Sequence, residues 1–175
     1  MIARSIKQWL ASFRLFIRIS LFMASPADLP YNPVGVVLTL VAYYGVALYV
    51  LGGQYEQTRI AILIAVEAII LIAISYLTLT ARKLRGRLVQ TLSALFGGGL
   101  IISLIGIPVM MLAPGNAEGE VGSVARNLNL ALILWSLAVI SLIFKRAFEV
   151  STLAAGFLAF NYLFFYELII VYLLK

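Results

Sequence analysis

Apolar residues fall into six blocks along the chain, separated by short polar or proline-rich breaks. The first block, residues 2–22, is patterned differently from the rest. At about 100° per residue, Ile2, Ile6, Trp9, Leu10, Phe13, Phe16 and Ile17 fall within about 120° of a helical wheel. Arg4, Lys7, Arg14 and Arg18 fall within about 80° on the opposite side. A basic face opposite an aromatic-rich apolar face predicts an amphipathic helix lying in the membrane interface. The competing reading, a first membrane crossing, would place four cations along one span at about 2.5–3.5 kcal/mol each near the bilayer centre, so the interfacial reading is preferred. Residues 1–25 are assigned to this helix. They are not read as a cleavable signal, because Arg14 and Arg18 interrupt what would have to be its apolar core.

Residues 26–33 form a proline-rich connector. Pro26, Pro30 and Pro33 each remove a backbone donor and push the preceding residue out of the α region. The segment is expected to turn the chain from the membrane plane into the first crossing. The other five blocks, 34–52, 59–80, 88–112, 128–144 and 152–174, are apolar all round and close to the ~20 residues that cross about 30 Å of hydrocarbon. The predicted fold is an all-α polytopic membrane bundle: five transmembrane helices over residues 34–175, preceded by the interfacial helix. The outer loop, residues 114–127, is rich in Gly, Asn and Glu and is expected to be the most mobile segment.

Charge orients this bundle. Arg82, Lys83, Arg85 and Arg87 crowd one connection, Lys145 and Arg146 another, and four more cations lie on the first helix. If every block crosses, these ten of the thirteen basic residues share one side, leaving Arg59, Arg126 and Lys175 on the other. The positive-inside rule makes the crowded side cytoplasmic, with the N-terminus inside and the C-terminus outside.

Composition narrows the chemistry. The chain is 63% hydrophobic and 11% charged, against about 25% charged for a soluble domain. Its net charge of +6 is read as loops facing anionic lipid headgroups, not as nucleic-acid binding. With no Cys and no His, thiolate chemistry, Cys/His zinc sites and Ser-His-Asp or Cys-His catalysis are excluded. The seven acids are scattered over the whole chain, which argues against a carboxylate metal site. No catalytic residue, cofactor or metal is expected.

Three polar residues interrupt the spans: Glu67 in the second, Asn161 and Glu167 in the fifth. At about 1.5 Å per residue, Glu67 lies about 12 Å and Glu167 about 10 Å from the outer ends of their predicted helices. No Lys or Arg lies in a span at that depth. Such carboxyls have to be protonated, hydrogen-bonded or hydrated. They are candidates for a proton- or cation-binding pair. The preferred reading is structural hydrogen bonds through Ser75, Tyr43, Tyr44, Asn161 or Tyr162, worth about 0.6 kcal/mol each; contacts to another subunit or to lipid headgroups are further alternatives.

The third span carries Ser93, Gly97, Gly98, Gly99, Gly106 and Pro108. Ser93/Gly97, Ala94/Gly98 and Gly99/Ser103 each set small residues four apart, a spacing that lets another helix approach closely. Pro108 removes a helical hydrogen bond and is expected to kink the outer end; tight packing at the bundle centre is preferred over a hinge. The glycines form no phosphate loop, since no Gly-Lys-Ser/Thr follows them. The aromatics of the fifth span and Trp135 are read as packing groups, and Tyr172 as an outer-interface ring. Trp9 and the basic residues Arg4, Lys7, Arg14, Arg18, Arg82, Lys83, Arg85 and Arg87 are read as membrane-surface groups.

The segment Asp28-Leu29-Pro30 before the first span and the glycine-rich third span ending in Gly106-Ile107-Pro108 resemble motifs of the Yip1-like family of small integral membrane proteins. Where that family has Asp-Leu-Tyr-Gly-Pro, this chain reads Asp28-Leu29-Pro30-Tyr31-Asn32. The resemblance covers residues 26–174 and implies a cytoplasmic N-terminal region, five spans and a very short external C-terminus. Eukaryotic members are linked to vesicle trafficking and small GTPases; the compact layout here is similar to that of bacterial relatives and implies a bacterial inner membrane. The expected function is non-enzymatic, as a scaffold or accessory subunit that associates with other membrane subunits or with itself. The alternative is a small proton- or cation-coupled transporter or channel using Glu67 and Glu167; a lipid-modifying enzyme ranks last, for want of a nucleophile–base or metal set.

Overall fold

The structure, a computed structural model, describes residues 2–51, 56–112 and 120–173. Among them are six α-helices: α1 (Ile2–Ser20), α2 (Pro33–Leu51), α3 (Gln57–Ala81), α4 (Leu88–Leu112), α5 (Glu120–Phe148) and α6 (Thr152–Leu173). The last five are long and apolar enough to cross a membrane. Large apolar side chains such as Val41, Ile69, Leu77, Leu134 and Phe157 lie exposed around the bundle. In water that surface would aggregate; hydrocarbon is the solvent that suits it.

Small residues make α4 the axis of the bundle. Half of its apolar span is buried, against 17% for the spans in α2, α5 and α6. Consecutive helical residues point about 100° apart, so Gly97, Gly98 and Gly99 face three different neighbours. Gly97 is covered by the ring of Phe16 on α1. A Cβ on Gly98 would meet Val139 of α5 at 3.3 Å, and one on Gly99 would meet the Tyr43 ring of α2 at 3.5 Å. Each glycine extends one of the small-residue pairs seen in the sequence. Ser93, above Gly97, lines a small cavity beside Trp9 and Phe16, and Ser103, one turn beyond Gly99, stands near the Tyr43 hydroxyl. One helix thus offers three close-packing stripes to three partners. Gly106 continues the contact with α5, at Leu132, and α4 runs through Pro108 to Leu112.

The first helix is seated against the bundle, on α4, α2 and α5. Ser12, Phe16, Ile19 and Ser20 are buried, whereas Lys7, Arg14 and Arg18 are exposed. Ile6, Leu10 and Ile17 are also exposed, so the apolar face divides between a bundle-facing edge and an outward edge. Trp9, expected at the membrane surface, is turned inward: its indole N–H donates to Thr39 Oγ1 at 2.9 Å. The Trp135 indole donates to the carbonyl of Ser20, the last residue of α1, at 2.9 Å.

The connector holds a single 3₁₀ turn, Pro26–Asp28, closed by a capping box between Ser25 and Asp28. Pro33 belongs to α2 and not to the connector. It takes the first helical position, where its missing N–H costs nothing, and Asn32 caps the helix by accepting from Gly35 N at 3.0 Å. The fourth crossing also differs from the expectation. Residues 120–127, read as outer loop, are the first two turns of α5, which runs on to Phe148; residues 114–119 of that predicted loop lie outside the described residues.

Both basic connections lie at the same end of the bundle. Arg87 pairs with Glu149 at 2.7 Å, and Arg82 donates to the carbonyls of Phe148 at 3.2 Å and Glu149 at 3.0 Å. Arg146 donates to the carbonyls of Ala24 and Phe22. Arg85 bonds Thr80 and lies over the Tyr76 ring. The Arg82 and Arg146 guanidiniums satisfy carbonyls at or just beyond helix ends, a use the sequence reading did not foresee.

At this end α1, α3 and α5 each close with the same turn, in which the N–H five residues on bonds back: Met23 to Arg18, Leu84 to Leu79, and Val150 to Lys145. The left-handed position of that turn, which glycine usually fills, holds Phe22, Lys83 and Glu149, with φ of 65°, 59° and 54°. The Lys83 side chain is exposed. Lys83→Gly is therefore expected to stabilise the fold by about 1 kcal/mol, seen as a higher unfolding temperature in detergent; a lower one would contradict the assigned turn.

Candidate functional site

Glu67 is the polar centre of the membrane-spanning region. The α3 helix begins at Gln57, which puts Glu67 about 15 Å from its start. Tyr43, on α2, donates its hydroxyl to both carboxyl oxygens, at 3.0 and 2.9 Å. Tyr162, on α6, donates to Oε1 at 3.0 Å. Tyr162 is 2% exposed, so its hydroxyl must find its partner inside the protein. One carboxyl thus joins three helices. The Tyr43 ring itself lies against the open face of Gly99.

The second carboxyl is not part of this cluster. Glu167 is exposed on α6, and no hydrogen bond or ion pair reaches it among the described residues. The two carboxyls are therefore not joined by a hydrogen bond among the described residues. Asn161 does not join either: its amide donates to the Phe157 carbonyl of its own helix at 2.7 Å. Of the other partners considered for the acids, Tyr44 packs against an apolar patch of Ala47, Ile60 and Ile64. Ser75 is fully buried, with no hydrogen-bond partner among the described residues.

Tyr166 is the residue the sequence reading passed over. It stacks on Tyr162 with ring centroids 6.2 Å apart and stands near both Glu67 and Glu167. The spacing of four between Tyr162 and Tyr166 was the available signal, since it places both rings on one helix face. Seven aromatics in one span masked it.

Chemically the cluster is an acceptor held by two phenol donors. It can lock three helices in register, and it can share a proton among three side chains. Among the described residues no group of three acids is placed to hold a metal ion. No family model matches the chain, and neither does any curated protein or solved structure.

Proposed function

We propose that the protein is a non-enzymatic membrane component, a scaffold or accessory subunit of a larger assembly in a bacterial inner membrane. The observation that carries this reading is the contrast between its two intramembrane carboxyls. Glu67 is satisfied within the chain by Tyr43 and Tyr162, as an internal tie requires. Glu167 faces outward with no hydrogen bond or ion pair among the described residues, as a contact to another subunit requires. The Yip1-like layout belongs to the same proposal. Purified from its native membrane in mild detergent, the protein is expected to bring a stoichiometric membrane partner or to self-associate. A strictly monomeric particle, with no crosslinked neighbour in native membranes, would overturn the reading.

The orientation belongs to the proposal too. The end carrying Arg82, Lys83, Arg87, Lys145 and Arg146 faces the cytosol and its anionic headgroups, with α1 lying at that interface. The chain has no cysteine, so single cysteines report topology directly. A cysteine at Lys83 is expected to react with an impermeant thiol reagent only from the cytosolic side, and one at Tyr172 only from the opposite side. The reverse pattern would invert the topology.

Proton or cation transport is the second reading, drawn from the position of Tyr166 near both carboxyls. It requires proton-dependent flux in reconstituted vesicles that Glu67→Gln abolishes. Absence of flux in the unmodified protein eliminates it.

A further inference from the structure

One face of α6 carries the repeat of a helix–helix seam. Leu153, Phe157, Phe160, Phe164, Glu167 and Val171 are spaced 4-3-4-3-4, the three-and-four alternation that keeps one helix face against a partner. They lie within about 80° of the helical wheel, and all six are exposed. The opposite face of α6 carries Ala155, Ala159 and Tyr162, which are buried against the bundle. The seam is about 27 Å long, close to the ~30 Å thickness of the hydrocarbon. At its cytosolic end it opens into a groove lined by Ser151, Leu153, Gly156, Phe157 and Phe160. Hydrocarbon accounts for the apolar positions; it does not account for a carboxyl standing in the same row.

From this we infer that the α6 seam docks a transmembrane helix of a different protein, which brings a Lys or Arg to the depth of Glu167. The inference rests on the subunit role proposed above and names its interface. Charge decides the occupant. A second copy packed on the same seam would set Glu167 against Glu167. The nearest cations beyond the α6 seam, Arg59 and Arg126, lie roughly 10 Å farther from the basic end, so neither meets it. A cation from a foreign helix matches the carboxyl in a low-dielectric setting, where such a pair selects its partner strongly.

The test is site-specific photocrosslinking of the full chain in native membranes, with the photoreactive group at Phe160 or Phe164 on the seam and at Ile69 or Leu77 on α3 as controls. The expected result is one adduct from the seam positions alone, whose partner has a basic residue inside a span. Glu167→Leu and Glu167→Gln are each expected to lower its yield about tenfold or more. Glu167→Lys, combined with exchange of the partner's cation for Glu, is expected to restore it. Full adduct yield in both Glu167 variants overturns the proposal, and so does an adduct to a second copy of this chain. Adducts from α3 with none from α6 also overturn it, yet leave the subunit role standing. Adducts from no position overturn both.

Discussion

Gly97→Leu is expected to unseat the first helix. The ring of Phe16 lies directly on the Gly97 backbone, well inside the distance at which a Cβ could be accommodated. Phe16 is 1% exposed, so its ring cannot simply swing outward. Even Gly97→Ala is expected to cost about 1–3 kcal/mol as an overpacked contact. Leucine, with three further carbons, is expected to separate α1 from α4. Proteolysis after Arg14 and Arg18 in detergent should then accelerate while the five long helices persist by circular dichroism. Two comparisons isolate the cause. Phe16→Leu should recover part of the loss in the Gly97→Ala background, because residues in contact do not act additively. Gly45→Ala, where nothing lies within 4 Å of the added methyl, should be neutral or raise stability by up to about 1 kcal/mol. Unchanged proteolysis in Gly97→Leu would show that Phe16 is not held there.

Glu67→Leu is expected to be the most damaging single change in the half of the bundle away from the basic connections. It strips the acceptor from two hydroxyls, one of them on the almost wholly buried Tyr162. Orphaned buried donors cost about 1–3 kcal/mol. The membrane setting draws that toward the low end, since hydrogen bonds between transmembrane helices reach at most about 1.7 kcal/mol. Glu67→Gln keeps one acceptor oxygen and adds an amide that either phenol can accept, so it should retain most of the stability. Tyr162→Phe, which removes one of the bonds, should cost about 0.6 kcal/mol. Unfolding of each variant in mixed detergent gives the order Leu, then Phe at 162, then Gln. If Glu67→Leu proved as stable as the parent, the three-helix tie would carry no structural weight.

The five crossings were legible because a long apolar run has few other solutions in a chain this poor in charge. The start of α5 was not. Hydropathy marks where the solvent changes, whereas a helix ends where its hydrogen bonds end. Glu120, Ser123, Arg126 and Asn127 are polar, yet they continue the same helix beyond the apolar run. The three small-residue pairs of α4 were visible, but not which helix each receives. That depends on the tertiary arrangement around α4, and one of the three occupants, Phe16, comes from a segment read as facing lipid. Glu67 was singled out as costly to bury, and Tyr43 and Tyr162 stood among its possible partners. Choosing between those and Tyr44, Ser75 or Asn161 required the rotation of α2 and α6, which uniformly apolar helices do not encode. The outward position of Glu167 was hidden for the same reason.

The contacts that hold the N-terminal helix are far apart in the sequence. Its last carbonyl is met by Trp135, 115 residues on, and the carbonyl of Ala24 by Arg146, 122 residues on. A growing polypeptide therefore completes its opening segment long before the residues that grip it have been synthesised. What is translated earlier settles later, and the seat of this helix is complete only once α5 has been made.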